Sequence, residues 1–577
     1  MVLRKTWKIL PPAPKNFCQK FPGISRIVLN LLYHRIPEAR KGKRLSQSAV
    51  NEFFNPDYQN NLHDPFLMKD MRRAGKRILK AVREKEKIAI FGDYDVDGIT
   101  SVVILYDTLR QIHAQPIVYI PDRQKEGYGL NISAFKYLKK QGINLIITVD
   151  CGIRNTKEIE KARQWGMDVI VTDHHLPDKK LPPAFAVVNP HCEKDYPFSE
   201  LSGAGVAFKL ALALIKLSRP KNFPTGFDKW LLDLAALGTI ADMVPLIGEN
   251  RILVKFGLLV LGKTRRLGIK AVFSAARMPL SGKIPPETSQ ISFQIAPRLN
   301  AAGRMDHANL SFALLISEKE KEAREIAEEL ERKNSRRQRL TEKIVAAIED
   351  KLNSKEKLVF MGSVDWPVGV LGLVAGKICE KYARPAFLFN IGKKECRGSI
   401  RSISKFKVVP VLEKCRDLLT DYGGHDYAGG FTFPLKNRQR LLKRLQNIAN
   451  KLLKYEDLAW ETRIDGRISL SEINWNLLEA IKQMEPFGVG NPTPLFLAEK
   501  VELFQCQLVG NGNKHLKMWF RAGDTVLESI GFGKGDKYCM LMPEQNPKLD
   551  IVFEIGSDEW NGQRKLQLIV RDLRLSP

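Results

Sequence analysis

Three short stretches of this 577-residue chain concentrate side chains that could hold metal ions. "DYDVDG" (93–98) offers Asp93, Asp95 and Asp97, "VDCG" (149–152) offers Asp150, and "TDHH" (172–175) offers Asp173, His174 and His175. Taken singly, each aspartate reads equally well as a helix N-cap or a turn residue. Taken together, so many carboxylates cannot sit close unneutralised, because like charges repel strongly at short range. Oxygen-rich ligation with a histidine or two and no thiolate favours Mn²⁺ or Mg²⁺ over structural zinc. Cys151 adjoins Asp150, but its surroundings suit a small core residue. A pair of such cations activates water and clamps a phosphoryl group during in-line attack. If "DYDVDG" stays extended, its alternate residues point the same way and its three carboxylates share a face.

Something must bring these stretches together. Each follows an apolar, β-rich run: "KIAIFG" (87–92), "INLIITV" (143–149) and "DVIVT" (168–172), with "PIVYI" (116–120) as a further run of the same kind. Helical segments lie between them, such as "NTKEIEKARQWG", with Asn155 as N-cap, Glu158 at the capping-box position and Gly166 as the stop. Alternation at this interval predicts a doubly wound parallel sheet, and ligands bind beyond the carboxyl ends of such strands. Residues 1–80 are expected to be a mostly helical extension of this catalytic lobe, which spans 81–316. A long charged helix covers 317–356 and reads as a solvated connector. A second, smaller α/β domain follows at 357–456. From 457 to 577 five β-rich segments separated by turn residues predict a small barrel of the OB type.

Composition narrows the partners. Lys and Arg exceed Asp and Glu to give a formal net charge of +28, spread along the chain, which draws polyanions and points to nucleic acid. Eight cysteines without a CxxC pair fit a reducing compartment. The N-terminus lacks an apolar h-region and no apolar run approaches a membrane span, so a cytoplasmic protein without membrane contact is expected. Further along, Asp242 in "TIADMVPL" follows an apolar approach and would be costly there without a partner or cation. The glycines of "GGHDYAGG", Gly423 and Gly424 among them, suit a backbone N–H cradle for an anion beside His425. Arg397 and Arg401 offer bidentate phosphate contacts.

The three metal-site stretches resemble the first motifs of the DHH phosphoesterase superfamily. "SGAGVAFKL" (202–210), "LGTIADMVPL" (237–246), "RLNAAGR" (298–304), "RGSIR" (397–401), "GGHDYAGG" (423–430) and "EPFGVGNPTP" (485–494) resemble its RecJ family of single-stranded-DNA exonucleases. The resemblance implies a DHH domain, a DHH-associated substrate-binding domain and an OB-like barrel. It implies metal ligation by Asp95, Asp97, Asp150, His174 and Asp242, with Asp150 bridging two cations. Asp93 and His175 would support the site or touch the scissile phosphate. Arg298, Arg304, Arg397, Ser399, Arg401 and His425 would hold substrate phosphates. Val96 and Ile400 stand where that family usually has a smaller residue. The implied activity is 5′→3′ hydrolysis of single-stranded DNA to mononucleotides in repair and recombination, with a single-strand-binding protein and a helicase as candidate partners. Two other readings remain open: an oligoribonuclease or other small-phosphoester hydrolase of the superfamily, and a catalytically silent DNA-binding scaffold.

Overall fold

The computed structural model describes residues 5–36, 45–123, 125–127, 129–192, 195–218, 222–305, 307–353, 355–523, 525–541, 547–560 and 563–577. Cα proximity divides the chain into two units. The larger holds residues 63–244 and 253–460; the smaller holds residues 6–62, 245–252 and 461–577.

In the larger unit, helix α1 (Met71–Arg83) leads into strand β1 (Ile88–Gly92), helix α2 (Val96–Gln111) and strand β2 (Ile117–Tyr119). Strand β3 (Leu145–Val149), strand β4 (Asp168–Thr172) and strand β5 (Ala186–Val188) complete a five-stranded sheet in the order β2-β1-β3-β4-β5. All neighbouring strands are parallel. β1 and β3 are buried along their whole length, as expected where helices cover both faces. Helix α3 (Gly203–Leu217) and helix α4 (Leu232–Ala241) pack on α2. Between β3 and β4, the helix Thr156–Gln164 stops before Gly166, whose φ of 77° is left-handed. Asn155 differs from expectation: its amide donates to Glu158 and to the Leu130 carbonyl, and its side chain makes no cap hydrogen bond.

The charged segment forms helix α5 (Glu320–Glu349), 30 residues long. It is not a solvated connector. Ala323, Ala327, Leu330, Asn334, Arg337, Thr341, Ile344 and Ile348 form a buried stripe along it, at the three-and-four spacing of one helical face. Its Ile344 and Ile348 join the core of the second α/β domain. That domain carries strand β6 (Val359–Ser363), helix α6 (Val368–Tyr382), strand β7 (Ala386–Ile391), strand β8 (Glu395–Arg401), strand β9 (Asp421–Gly424) and strand β10 (Ala428–Pro434). Its sheet runs β9-β10-β8-β7-β6, with only β6 and β7 parallel.

In the smaller unit five strands close into a barrel: β11 (Phe496–Val509), β12 (His515–Ala522), β13 (Thr525–Gly531), β14 (Lys548–Trp560) and β15 (Gln563–Leu575). β11 pairs with both β12 and β14, which joins the two ends of the sheet. Residues 6–62 group with this barrel rather than with the catalytic lobe. Leu31 and Leu32 lie in one apolar core with Met518, Phe520 and Phe553, and all five are fully buried. The buried Arg35 guanidinium locks the arrangement, donating to Asp465 at 2.7 Å and to the Pro492 carbonyl at 2.9 Å. Among the described residues no helix is long and apolar enough to cross a membrane.

Candidate active site

Three strands of the first sheet deliver the expected groups to its carboxyl edge. β1 ends at Gly92, and "DYDVDG" then turns directly into α2 instead of staying extended. Asp95 is the N-cap of α2, accepting from the Gly98 N–H at 3.1 Å. Asp97 lies in the first helical turn, where its carboxylate accepts the N–H groups of Gly203 at 2.6 Å and Ala204 at 2.9 Å. Those two donors open α3, so a helix N-terminus is aimed at this carboxylate. The glycines of "SGAG" and "LGT" are explained by proximity. An added Cβ on Gly203 would meet the Asp150 carboxyl at 2.7 Å, and one on Gly238 would meet the Asp97 Oδ1 at 2.6 Å.

Asp150 follows β3 with a left-handed φ of 59°, a conformation that non-glycine residues adopt at a cost and that clusters at functional sites. Asp173, fully buried, organises the double histidine. Its Oδ1 accepts from the backbone of His174 (2.7 Å) and of His175 (3.1 Å) and faces His175 Nδ1 at 2.8 Å, while Oδ2 accepts from Ile153 N–H. The His174 ring reaches the other way. Its Nε2 lies 3.1 Å from Asp150 Oδ1, 3.7 Å from Asp242 Oδ2 and 4.0 Å from Asp97 Oδ2. Three groups of ligand atoms therefore converge: Asp93, Asp95 and Asp150; Asp97, His174 and Asp242; Asp150, His174 and His175. Within each group the atoms all lie within 4.8 Å of one another.

The donors fit hard divalent cations. Among the described residues, Asp93 Oδ1 and Asp242 Oδ2 are buried with no hydrogen bond, and His174 Nε2 has only the ion-pair approaches just given. Burial, and then the repulsion of neighbouring carboxylates, raises Asp93 and Asp150 well above the usual carboxylate range and Asp97 to about 7. Burial alone would lower the His174 pKa, but Asp242, Asp97 and Asp173 raise it overall. Asp173 goes the opposite way: burial is outweighed by the His175 hydrogen bond and by the two imidazoles, which hold it low. The Cys151 thiol is buried and turned toward the Phe91 carbonyl, so no thiolate joins the set.

A second group of side chains in the same unit carries the opposite charge. Half-buried Arg304 has its pKa lowered to about 9 by burial and then by Arg123 and Arg337. Arg401 is lowered by burial and by Arg123, and Arg337 by burial and Arg298. Arg304 Nε and Arg337 Nε are also buried with no hydrogen bond among the described residues. Along β8 the even positions Cys396, Gly398 and Ile400 are buried in the core, which places Arg397, Ser399 and Arg401 together on the opposite face. Gly372 of α6 lies against Ser399 and Arg401, and Gly369 against the Arg304 carbonyl, so α6 joins these arginines from two domains.

Two expected phosphate groups take other partners. Arg298 is paired with Glu331 of α5 and donates to the Gln294 carbonyl. The "GGHDYAGG" glycines form the hairpin of β9 and β10 rather than a free N–H cradle. Gly423 and Gly424 sit opposite Gly430 and Gly429, and the His425 N–H donates to the Ala428 carbonyl at 2.8 Å. His425 is left near the tip, its pKa lowered by partial burial, Arg154 and His175. Two contributors were missed in the sequence. Arg123 follows β2, a strand end from which the sequence pattern took no site residue. Asn300, in "RLNAAGR", accepts the Val96 N–H at 3.2 Å and so anchors the start of α2.

An acidic and imidazole cluster able to hold divalent cations, at the edge of a parallel sheet and in one unit with an arginine cluster, defines a metal-dependent phosphoester hydrolase. The sequence matches the DHH family N-terminal domain over residues 87–239, the DHHA1 domain over 355–451 and the RecJ OB domain over 464–572. It is 39% identical over 561 residues to the single-stranded-DNA-specific exonuclease RecJ of Bacillus subtilis, covering 96% of this chain and 68% of that protein. The RecJ of Escherichia coli is 33% identical over 531 residues, covering 87% and 90%. A crystal structure of RecJ from Thermus thermophilus in complex with Mn²⁺ superposes with a TM-score of 0.84 at 28% identity, covering all of this chain and 80% of that one. The chain belongs to the RecJ family.

Proposed function

We propose that the chain is a metal-dependent exonuclease that hydrolyses the phosphodiester bonds of single-stranded DNA from the 5′ end and releases mononucleotides. The observation that carries this reading is the convergence of Asp93, Asp95, Asp97, Asp150, His174 and Asp242 from three strand ends and the end of α4. RecJ structures with Mn²⁺ and with Mg²⁺ support the choice of cation. Asp95, Asp97, Asp150, His174 and Asp242 would hold two such ions, with Asp150 shared, and Asp93 close by. Bound there, the ions supply a hydroxide-forming water and neutralise charge on the phosphoryl oxygens. His174 must be neutral to ligate, and cations held by the same carboxylates would offset the charge that otherwise raises its pKa.

The chain's own residues account for the rest. Asp173 holds His175 through Nδ1 and fixes the ring, and His175 as an imidazolium would give its Nε2 proton to the leaving oxygen. Arg123, Arg304 and Arg401 would bind phosphate groups, since bidentate guanidinium contacts suit them and Arg304 and Arg401 both lie close enough to Arg123 to feel its charge. Ser399, on the Arg401 face of β8, and His425, close enough to His175 to feel its charge, would supply further donors. The barrel adds strand binding, because OB folds track a backbone with cations and stack bases on aromatics such as exposed Phe504 and Phe532. Strand polarity, a cytoplasmic location, a role in repair and recombination, and cooperation with a single-strand-binding protein and a helicase follow from the family reading.

The test is degradation of a long single strand labelled at either end, with Mn²⁺ present and after chelation. Immediate release of a labelled mononucleotide from the 5′ end alone is expected, and none after chelation. Release first from the 3′ end, or equal activity without metal, would overturn the reading.

A further inference from the structure

A large concave surface in the catalytic unit lies away from the metal site. This cavity of about 1010 Å³ runs beside α1, lined by Lys69, Arg72, Arg73, Lys76, Arg77 and Lys80 together with residues at the start of β4 and just before β5. Asp168 is the first residue of β4 and Phe185 immediately precedes β5, so the cavity sits at the amino edge of the sheet. The metal-binding groups sit at its carboxyl edge. Five-residue strands separate the two edges by roughly 17 Å.

Part of this charge is met internally, and Lys80 lies 3.8 Å from Glu84. Arg77 pairs with Asp168 and Glu86, each at 2.7 Å, and Asp70 accepts the Val187 N–H. Arg72, Arg73 and Lys76 make no ion pair among the described residues. α1 buries Met71, Ala74, Gly75, Ile78 and Ala81, and this turns its basic face outward over 13 residues, about 20 Å of helix. The aromatic floor is already in use. The Arg72 guanidinium lies 4.1 Å from the centroid of Phe66, and that of Arg73 lies 4.5 Å from Phe185. Stacking of this kind holds the planar groups flat and leaves their donor edges outward. An apolar side chain from a docking peptide would find the rings covered, and what the surface presents is a row of oriented cations.

We infer that this cationic cavity is a second nucleic-acid site, which holds phosphates of the strand away from the metal centre. This rests on the reading of the substrate as a polynucleotide. A strand seated there adds counterion release to long-substrate binding and adds nothing to hydrolysis of substrates too short to reach it.

The test is the full-length triple variant Arg72→Gln, Arg73→Gln, Lys76→Gln, in which the stems remain and none of the proposed metal-site residues changes. Binding of a strand of roughly sixty nucleotides, several times one OB-fold site, is measured against salt concentration. Loss of three phosphate contacts should lower the slope of log K against log salt by about 2, at roughly 0.7 per contact on a single strand. Mn²⁺-dependent hydrolysis of a very short oligonucleotide should stay within twofold of the unmodified protein, which also shows that the variant is folded. An unchanged slope with intact short-substrate hydrolysis would overturn the second site while sparing the proposed activity. Loss of hydrolysis in the unmodified protein would instead remove that activity. Poly-L-glutamate serves as a competing probe. If it binds the patch and long strands fail to displace it, the surface docks an acidic protein and the inference is wrong.

Discussion

Removing the cations should make the catalytic unit unstable in a pH-dependent way. Without metal, burial and neighbouring carboxylates raise Asp97 from 3.8 to about 7. A carboxyl whose folded pKa is raised binds its proton more tightly in the folded state, so its penalty is absent below the unfolded pKa. As pH rises past 3.8 the unfolded chain ionises and the folded one resists, at about 1.36 kcal/mol per pH unit, until the penalty levels off near pH 7. The full cost for Asp97 is about 4 kcal/mol, of which about 3 kcal/mol accrues between about pH 5 and about pH 8. Asp93 and Asp150 are raised by the same causes and add in the same direction. For a unit of this size, at roughly 2.1 cal/mol/K of unfolding entropy per residue, Asp97 alone lowers the midpoint by about 3 °C over that interval. Bound Mn²⁺ needs the ionised ligands, so metal-loaded protein should escape this loss and gain more from metal at high pH. Thermal unfolding of chelated and Mn²⁺-loaded protein at the two pH values measures both effects, and Asp97→Asn in the chelated form should flatten the profile. Parallel pH profiles with and without metal, or greater stabilisation by metal at low pH, would refute the reasoning.

Further outcomes follow from individual contacts. Gly238→Ala places a Cβ 2.4 Å from Thr100 Oγ1, 2.5 Å from the Ala204 Cβ and 2.6 Å from Asp97 Oδ1, so it should cost about 1–3 kcal/mol in urea unfolding and weaken Mn²⁺ binding. Asp173→Asn keeps the shape but removes the charge that orients His175; turnover should fall by roughly 10–100-fold in steady-state assays, with long-strand binding unchanged. Arg35→Leu strands the Asp465 carboxylate in a buried setting, and should lower the stability of the barrel unit by about 3–5 kcal/mol in denaturant titration while leaving Mn²⁺ affinity intact.

Much of the site could be read from the chain because parallel strands announce themselves. Buried on both faces, β1, β3 and β4 are continuous apolar runs, and the residue after each run is where such sheets bind ligands. Asp242 was visible for a related reason, as a carboxylate closing an apolar helix. Arg123 lay beyond a strand end among Asp122, Gln124 and Lys125, where its charge looks like that of an ordinary polar loop. Asn300 acts through one backbone hydrogen bond some two hundred residues away, and no local pattern encodes that. The turn of "DYDVDG" into α2 was hidden because Asp95 serves as N-cap and stands among the proposed ligands at once. The place of residues 6–62 beside the barrel was also invisible, since an amphipathic helix shows that it has an apolar face but not what will cover it. A cut at residue 457 would leave that face bare. The stripe on α5 was legible in principle, its buried positions spaced by three and four, but the charges between them suggested full solvation.

The central claim is that separate strand ends build one site for two divalent cations. Titration of the chelated protein with Mn²⁺ at about pH 8, following free Mn²⁺ by electron paramagnetic resonance, tests it directly, because protons compete less for the ligands as pH rises. Two bound Mn²⁺ per chain are expected, and loss of both sites in Asp150→Ala, which removes a carboxylate common to two of the ligand groups. No saturable binding, a single ion per chain, or full binding by Asp150→Ala would contradict it.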